Sequence, residues 1–113
     1  MTPDALKIET IQMGDEKVLR LTGEIDLETV ASLIQALRKA TDAGGEIMVD
    51  LSGVSYMDSQ GVRALRNAHQ QALTNGGMLR LRGCHGVVDR VIRLVGLDRV
   101  IPVLEGEPST PDA

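Results

Sequence analysis

The stretch EIMVDLSGVSYMDSQG, residues 46–61, passes from an apolar run through polar residues to a helix start. Ile47-Met48-Val49 has a β-branched residue at each end and is bounded by Gly44-Gly45 before and Asp50 after. Such a run reads as a strand buried on both faces, over 47–51. Gly53 then reads as the opening of a turn. Beyond it Val62, Leu65, Ala68 and Ala72 recur at helical spacing, which makes Asp58 the N-cap and Ser59 the first helical residue. A serine hydroxyl is thereby set at the positive end of a helix.

Working outward, Leu6 and Ile8 alternate with Lys7 and Glu9, the pattern of a half-buried strand. Gly14-Asp15 supplies a turn into an antiparallel second strand over about residues 17–22, which ends at Gly23. Asp26 follows as the cap of a helix with Leu27, Val30, Ile34 and Leu37 on its buried face and Glu28, Ser32, Gln35 and Arg38 in water. Gly44 fits the left-handed stop of that helix. The helix from Ser59 ends at Asn75-Gly76-Gly77, residues 78–82 make another strand, and residues 87–95 make a third helix stopped by Gly96, with Leu97 against Ile92. A last strand over residues 100–104 contains Pro102, which lacks an N–H and so confines the strand to an edge. The expected order is β-β-α-β-α-β-α-β, an α/β domain with a mixed, mainly parallel sheet of four to five strands and three to four helices. Its bounds are residues 1–104. Residues 105–113 hold two prolines, three acidic residues and no apolar periodicity, and are expected to be a disordered tail.

Composition excludes several classes. A chain of 113 residues is one domain able to bury roughly two-thirds of its unfolded surface, without metal or disulfide. Tyr56 is the sole aromatic residue, so the core is aliphatic and no base-stacking platform exists. The net charge of −4, concentrated in residues 1–30 with seven acidic and three basic side chains, opposes a nucleic-acid footprint. A single cysteine, Cys84, cannot form an internal disulfide, and no signal-like or membrane-spanning run opens the chain, so the expected compartment is the reducing cytoplasm.

Parallel strands joined through one helix put the 23–26 and 53–58 segments at the same end of the sheet, where open α/β sheets bind ligands and partners. Asp26, Asp58 and Ser59 are therefore expected to share one patch. On spacing alone the two aspartates read equally well as ordinary caps. A phosphorelay receiver would need an acidic pair after its first strand to hold Mg²⁺ and a late lysine, but residues 5–12 contain only Glu9 and no lysine follows Lys39. A serine hydrolase would carry Gly-x-Ser-x-Gly, whereas position 57 is Met, and the two histidines, His69 and His85, read as surface or half-buried structural residues. Cys84 has no second cysteine or metal-ligand cluster beside it and reads as packing. Neither a catalytic nor a metal site is expected.

Three segments, GEID at 23–26, VDLSGVSYMDSQG at 49–61 and VIRLVGLDRVIPV at 91–103, resemble the STAS domain family, and within it the bacterial anti-sigma factor antagonists. The likeness runs over about residues 5–104. It implies a non-enzymatic switch that binds an anti-sigma factor which is also a serine kinase, is released when that kinase phosphorylates Ser59, and is reset by a serine phosphatase. It further implies a partner surface of Glu24, Asp26, Asp58, Ser59, Gln60 and Gly61. ATP and Mg²⁺ would belong to the kinase, so no cofactor is expected, nor nucleic acid or membrane insertion, and the free chain is expected to be monomeric. Gln60 and Val62 stand where similar proteins often carry Ser or Thr and Leu, which leaves Ser59 as the one hydroxyl of the motif. The resemblance also covers subunits of membrane lipid transporters and of stress-signalling assemblies, the alternative role.

Overall fold

The computed structural model describes residues 6–104. The expected tail, residues 105–113, lies outside them. In chain order the elements are β1 (Leu6–Met13), β2 (Glu16–Ile25), α1 (Val30–Ala43), β3 (Glu46–Met57), α2 (Ser59–Thr74), β4 (Met78–Arg82), α3 (Gly86–Leu94), a 3-10 turn (Leu97–Arg99) and β5 (Val103–Leu104). The five strands form one sheet in sequence order, β1 antiparallel to β2 and all later neighbours parallel. Each parallel step moves the same way across the sheet, so right-handed crossovers put α1, α2 and α3 on one face.

That face holds the core. Leu19 and Leu21 of β2, Ile47, Val49 and Leu51 of β3 and Leu79 and Leu81 of β4 are fully buried against Leu33, Leu37, Leu65, Val88 and Ile92 of the helices. The opposite face carries the alternate residues, and their long charged side chains pair across strands: Arg80 with Glu16 at 2.8 Å and Glu46 at 3.7 Å, Arg82 with Asp50 at 3.3 Å. Val18 and Met48, adjacent in register on this face, are nevertheless buried. Charged side chains with apolar stems explain how a helix-free face keeps them dry.

Four expectations need correction. First, β3 does not stop at Leu51 but runs to Met57, and β2 runs past Thr22 to Ile25. Gly53 is a strand residue: a Cβ there would lie 2.8 Å from the Leu21 carbonyl oxygen and 2.9 Å from Thr22 Oγ1, so it marks the close approach of two strands at a bulge, not a turn. Secondly, α1 buries Val30, Leu33, Leu37, Ala40 and Thr41, while Leu27 is 71% exposed and Ile34 is mostly outward. The regular helix starts three residues later than Leu27, which leaves Leu27 in the turn ahead of it. Thirdly, residues 97–99 form a 3-10 turn, and the last strand shrinks to Val103–Leu104. Pro102 precedes that strand, its carbonyl accepting the Leu81 N–H at 2.9 Å, and β5 is the sheet edge as expected. Fourthly, His69 is not a surface or half-buried residue but a buried one on α2.

Asp50 ties the helix-free face together. Burial disfavours its charge, but the Ser52 hydroxyl at 2.7 Å, the Ser52 N–H at 2.9 Å and the Arg82 guanidinium outweigh it and hold the carboxyl below its ordinary value. Since the folded value is depressed, the stabilisation is full above the unfolded value of about 3.9 and is lost as pH falls through the folded one. Asp50→Asn should therefore cost on the order of 1–2 kcal/mol at pH 7. Urea titrations of both proteins at pH 7 and pH 3 should show that deficit narrowing at the acid end.

Candidate functional site

The pairing of β2 with β3 outruns that of β3 with β4. Among the described residues β4 reaches β3 only as far as Asp50, yet Glu24↔Tyr56 and Ile25↔Met57 continue beyond it. Two register shifts, between Arg20 and Thr22 and between Gly23 and Glu24, each insert one extra residue into β3. Bulges increase twist and re-aim a strand end. The ribbon closes with the Asp58 N–H donating to the Ile25 carbonyl at 3.2 Å, which brings the 26–29 turn and the start of α2 side by side.

Each segment is then fixed locally. Asp58 has extended backbone and its Oδ1 accepts the Gln60 N–H at 2.9 Å, while its carbonyl accepts Gly61 N–H at 3.0 Å and Val62 N–H at 3.3 Å. It is the N-cap of α2 and Ser59 the first helical residue, both as expected, and Ser59 is exposed. Asp26 caps differently. Its Oδ1 accepts the N–H groups of Glu28 at 3.0 Å and Thr29 at 3.1 Å, forming a turn ahead of α1, and Thr29 occupies the helix's N-cap position without capping through its side chain. The Thr29 hydroxyl instead donates to the Glu24 carbonyl at 2.9 Å and accepts the Asp26 N–H at 3.0 Å. Sequence reading missed Thr29, although its place three residues after Asp26 was a visible signal.

Of the expected site residues, Glu24, Asp26, Asp58, Ser59 and Gln60 gather at this one end of the sheet, with Glu24 and Ser59 exposed and the others partly so. Gly61 is different in kind: it is buried, and a Cβ there would lie 2.5 Å from Met57 Cγ and 2.8 Å from Ile25 Cγ2. It lets the first turn of α2 settle on the strand ends. Two exposed apolar residues lie unannounced at the same end of the sheet, Leu27 and Tyr56. His85 lies elsewhere, its Nε2 3.0 Å from the Ser52 carbonyl oxygen. Among the described residues no cluster of His, Cys, Asp and Glu could hold a metal, and no helix is long and apolar enough to cross a membrane.

A capped helix start with an exposed hydroxyl, beside a second acidic turn at one end of a mixed five-stranded sheet, marks a small single-sheet α/β domain. Residues 9–105 match the sequence profile described as "Mlab, STAS domain". The chain belongs to the STAS domain family. It is 31% identical over 102 residues to the anti-sigma-B factor antagonist of Staphylococcus epidermidis, covering 89% of this chain and 94% of that one, and 24% identical over 98 residues to that of Bacillus subtilis, covering 87% and 90%. Among solved structures it resembles an anti-sigma factor antagonist from Mycobacterium paratuberculosis, with a TM-score of 0.85 at 24% identity over 94% of this chain and 91% of that one. It also resembles the Bacillus cell fate determinant SpoIIAA in its phosphorylated form, with a TM-score of 0.67 at 23% identity over 91% and 94%.

Gly61→Ala should shift Met57 or Ile25 off its packing and destabilise the fold by about 1–3 kcal/mol, the usual cost of overpacking a tight core. Thr29→Ala, which removes both hydroxyl bonds of the turn, should cost about 1 kcal/mol. Chemical denaturation with matched slopes measures both.

Proposed function

We propose that this protein is an anti-sigma factor antagonist, a binding module without catalysis of its own, which sequesters an anti-sigma factor kinase when Ser59 is unmodified and releases it when Ser59 is phosphorylated. The observation that carries this reading is the exposed Ser59 at the first turn of α2, between the Asp58 cap and the Asp26 turn. The similarity to anti-sigma-B factor antagonists over nearly the whole chain supports it. Glu24, Asp26, Asp58, Ser59 and Gln60 form the contact surface in this reading, Gly61 shapes it from beneath, and a phosphatase resets the switch.

Phosphate at this position should block an interface without unfolding the domain. A phosphoserine adds about −1.5 to −2 charges, and the free N–H groups and dipole of a helix N-terminus favour it by about 0.3–1 kcal/mol. Repulsion from the Asp58 and Asp26 carboxylates opposes this with a similar magnitude at a solvated surface. A partner covering the patch must instead strip water from the dianion, and burying an uncompensated charge costs several kcal/mol. About 3 kcal/mol already weakens affinity more than a hundredfold. SpoIIAA keeps a fold like this one in both its unphosphorylated and phosphorylated structures, with TM-scores to this chain of 0.73 and 0.67.

The test pairs this chain with each purified anti-sigma factor kinase of its host, in the presence of ATP. Label should enter the wild-type chain and be absent from Ser59→Ala; label retained in Ser59→Ala overturns the assignment. Asp58→Asn keeps a capping oxygen and removes the charge, so its melting temperature should hold while phosphorylation or kinase binding falls. Thermal melts of phosphorylated and unmodified protein should nearly coincide, and titration should show lost affinity for the phosphorylated form. Recovery of the chain in a complex with transporter subunits, and no kinase binding, would favour the scaffold role instead.

A further inference from the structure

Leu27 is 71% exposed and Tyr56 is 42% exposed, on a domain whose other aliphatic residues near this end, Ile25, Val30, Met57 and Val62, are all buried. Both flank the hydrogen bond that joins the two loops: Leu27 lies two residues beyond Ile25, and Tyr56 two residues before Asp58. At no more than ~3.6 Å per residue, each Cα falls within roughly 7 Å of a strand end, so both residues lie at the end of the sheet that carries Ser59.

We propose that Leu27 and Tyr56 are the apolar anchors by which this face holds its protein partner, and that the partner offers them an apolar pocket edged by lysine or arginine side chains. The assignment rests on the antagonist reading of the same face. Leu27 owes its exposure to an ordered backbone. Asp26 Oδ1 holds the N–H groups on either side of the turn's end, Glu28 and Thr29, and the Thr29 hydroxyl bridges the Glu24 carbonyl and the Asp26 N–H. A leucine held outward by four hydrogen bonds is preorganised for a pocket and loses little backbone freedom on docking. Tyr56 stands at the end of the projecting ribbon, its strand neighbour Met57 turned fully into the core. Aromatic and aliphatic anchors near the centre of a patch, ringed by polar groups, are where interfaces concentrate their affinity.

This end of the sheet is acidic. Glu24, Asp26, Glu28 and Asp58 come from its strand ends and turns, against the exposed cations Arg63 and Arg66 along α2. A partner surface edged by cations answers that charge, speeds encounter and gives a salt-dependent on-rate. Phosphate on Ser59 would then sit beside the anchors and keep the pocket from closing over them.

The experiment is calorimetric titration of the full chain into each purified anti-sigma factor kinase of its host, for wild type, Leu27→Ser, Tyr56→Ala and Leu94→Ser. Leu94, 78% exposed at the far end of α3, controls for loss of exposed apolar surface anywhere. Leu27→Ser and Tyr56→Ala should weaken the kinase that wild type binds by about tenfold or more, as anchor truncations do. Leu94→Ser should bind as wild type does, and all melting temperatures should agree within a few degrees. Raising salt should lower affinity for wild type and for Leu94→Ser alike. If wild type binds and both anchor variants stay within twofold of it, the anchors are refuted while the antagonist reading stands. If wild type binds none of the kinases, the antagonist reading itself falls and the anchors with it.

Discussion

The hydrogen bond from the Asp58 N–H to the Ile25 carbonyl is the constraint on which the functional end depends. It terminates a parallel ribbon that has left β4 behind, since β4 no longer pairs with β3 at that height. A parallel pair needs its partners in step, and β3 carries two extra residues that the bulges absorb. Ser59 then comes to rest beside the Asp26 turn rather than above a different strand. Gly61 completes the arrangement, because only a residue without a Cβ lets α2 lie this close to Ile25 and Met57.

The two faces of the sheet divide the work. One is dry, aliphatic and covered by three helices, so it supplies the cohesion expected of about 25 cal/mol per Å² of apolar burial. The other is closed by cross-strand pairs of Arg80, Glu16 and Glu46 and of Arg82 and Asp50, with no helix over it. Under the proposed switch, a charge added to the exposed Ser59 hydroxyl falls where water is available, so the fold can be indifferent to phosphate while a partner that must exclude the water is not.

Much of the architecture was legible in the chain. The alternation of Leu6 and Ile8, the Gly14-Asp15 turn, the 78–82 strand and the left-handed stop at Gly96 all follow from short-range chemistry and stand in the structure, while Gly44 ends α1 as its cap with a positive φ but an extended ψ. The Asp58 cap with Ser59 as first helical residue was equally local, because a carboxylate that accepts the Gln60 N–H needs no distant residue. The errors fell where a distant strand intervened. Gly53 looks like a turn until Leu21 and Thr22 are beside it, and Leu27 looks like core until the Asp26 turn holds it outward.

The sequence by itself determined the order of elements, the aliphatic core, the family and the identity of the hydroxyl at a helix start, since periodicity, capping and motif are properties of neighbours along the chain. Tertiary structure alone decided how far β2 and β3 run, that Gly61 is a packing residue and that Leu27 and Tyr56 lie exposed at this end of the sheet. Those outcomes depend on register between strands some thirty residues apart. Register is set by the summed fit of two bulged strands and the helix packed over them, and no local pattern contains that sum.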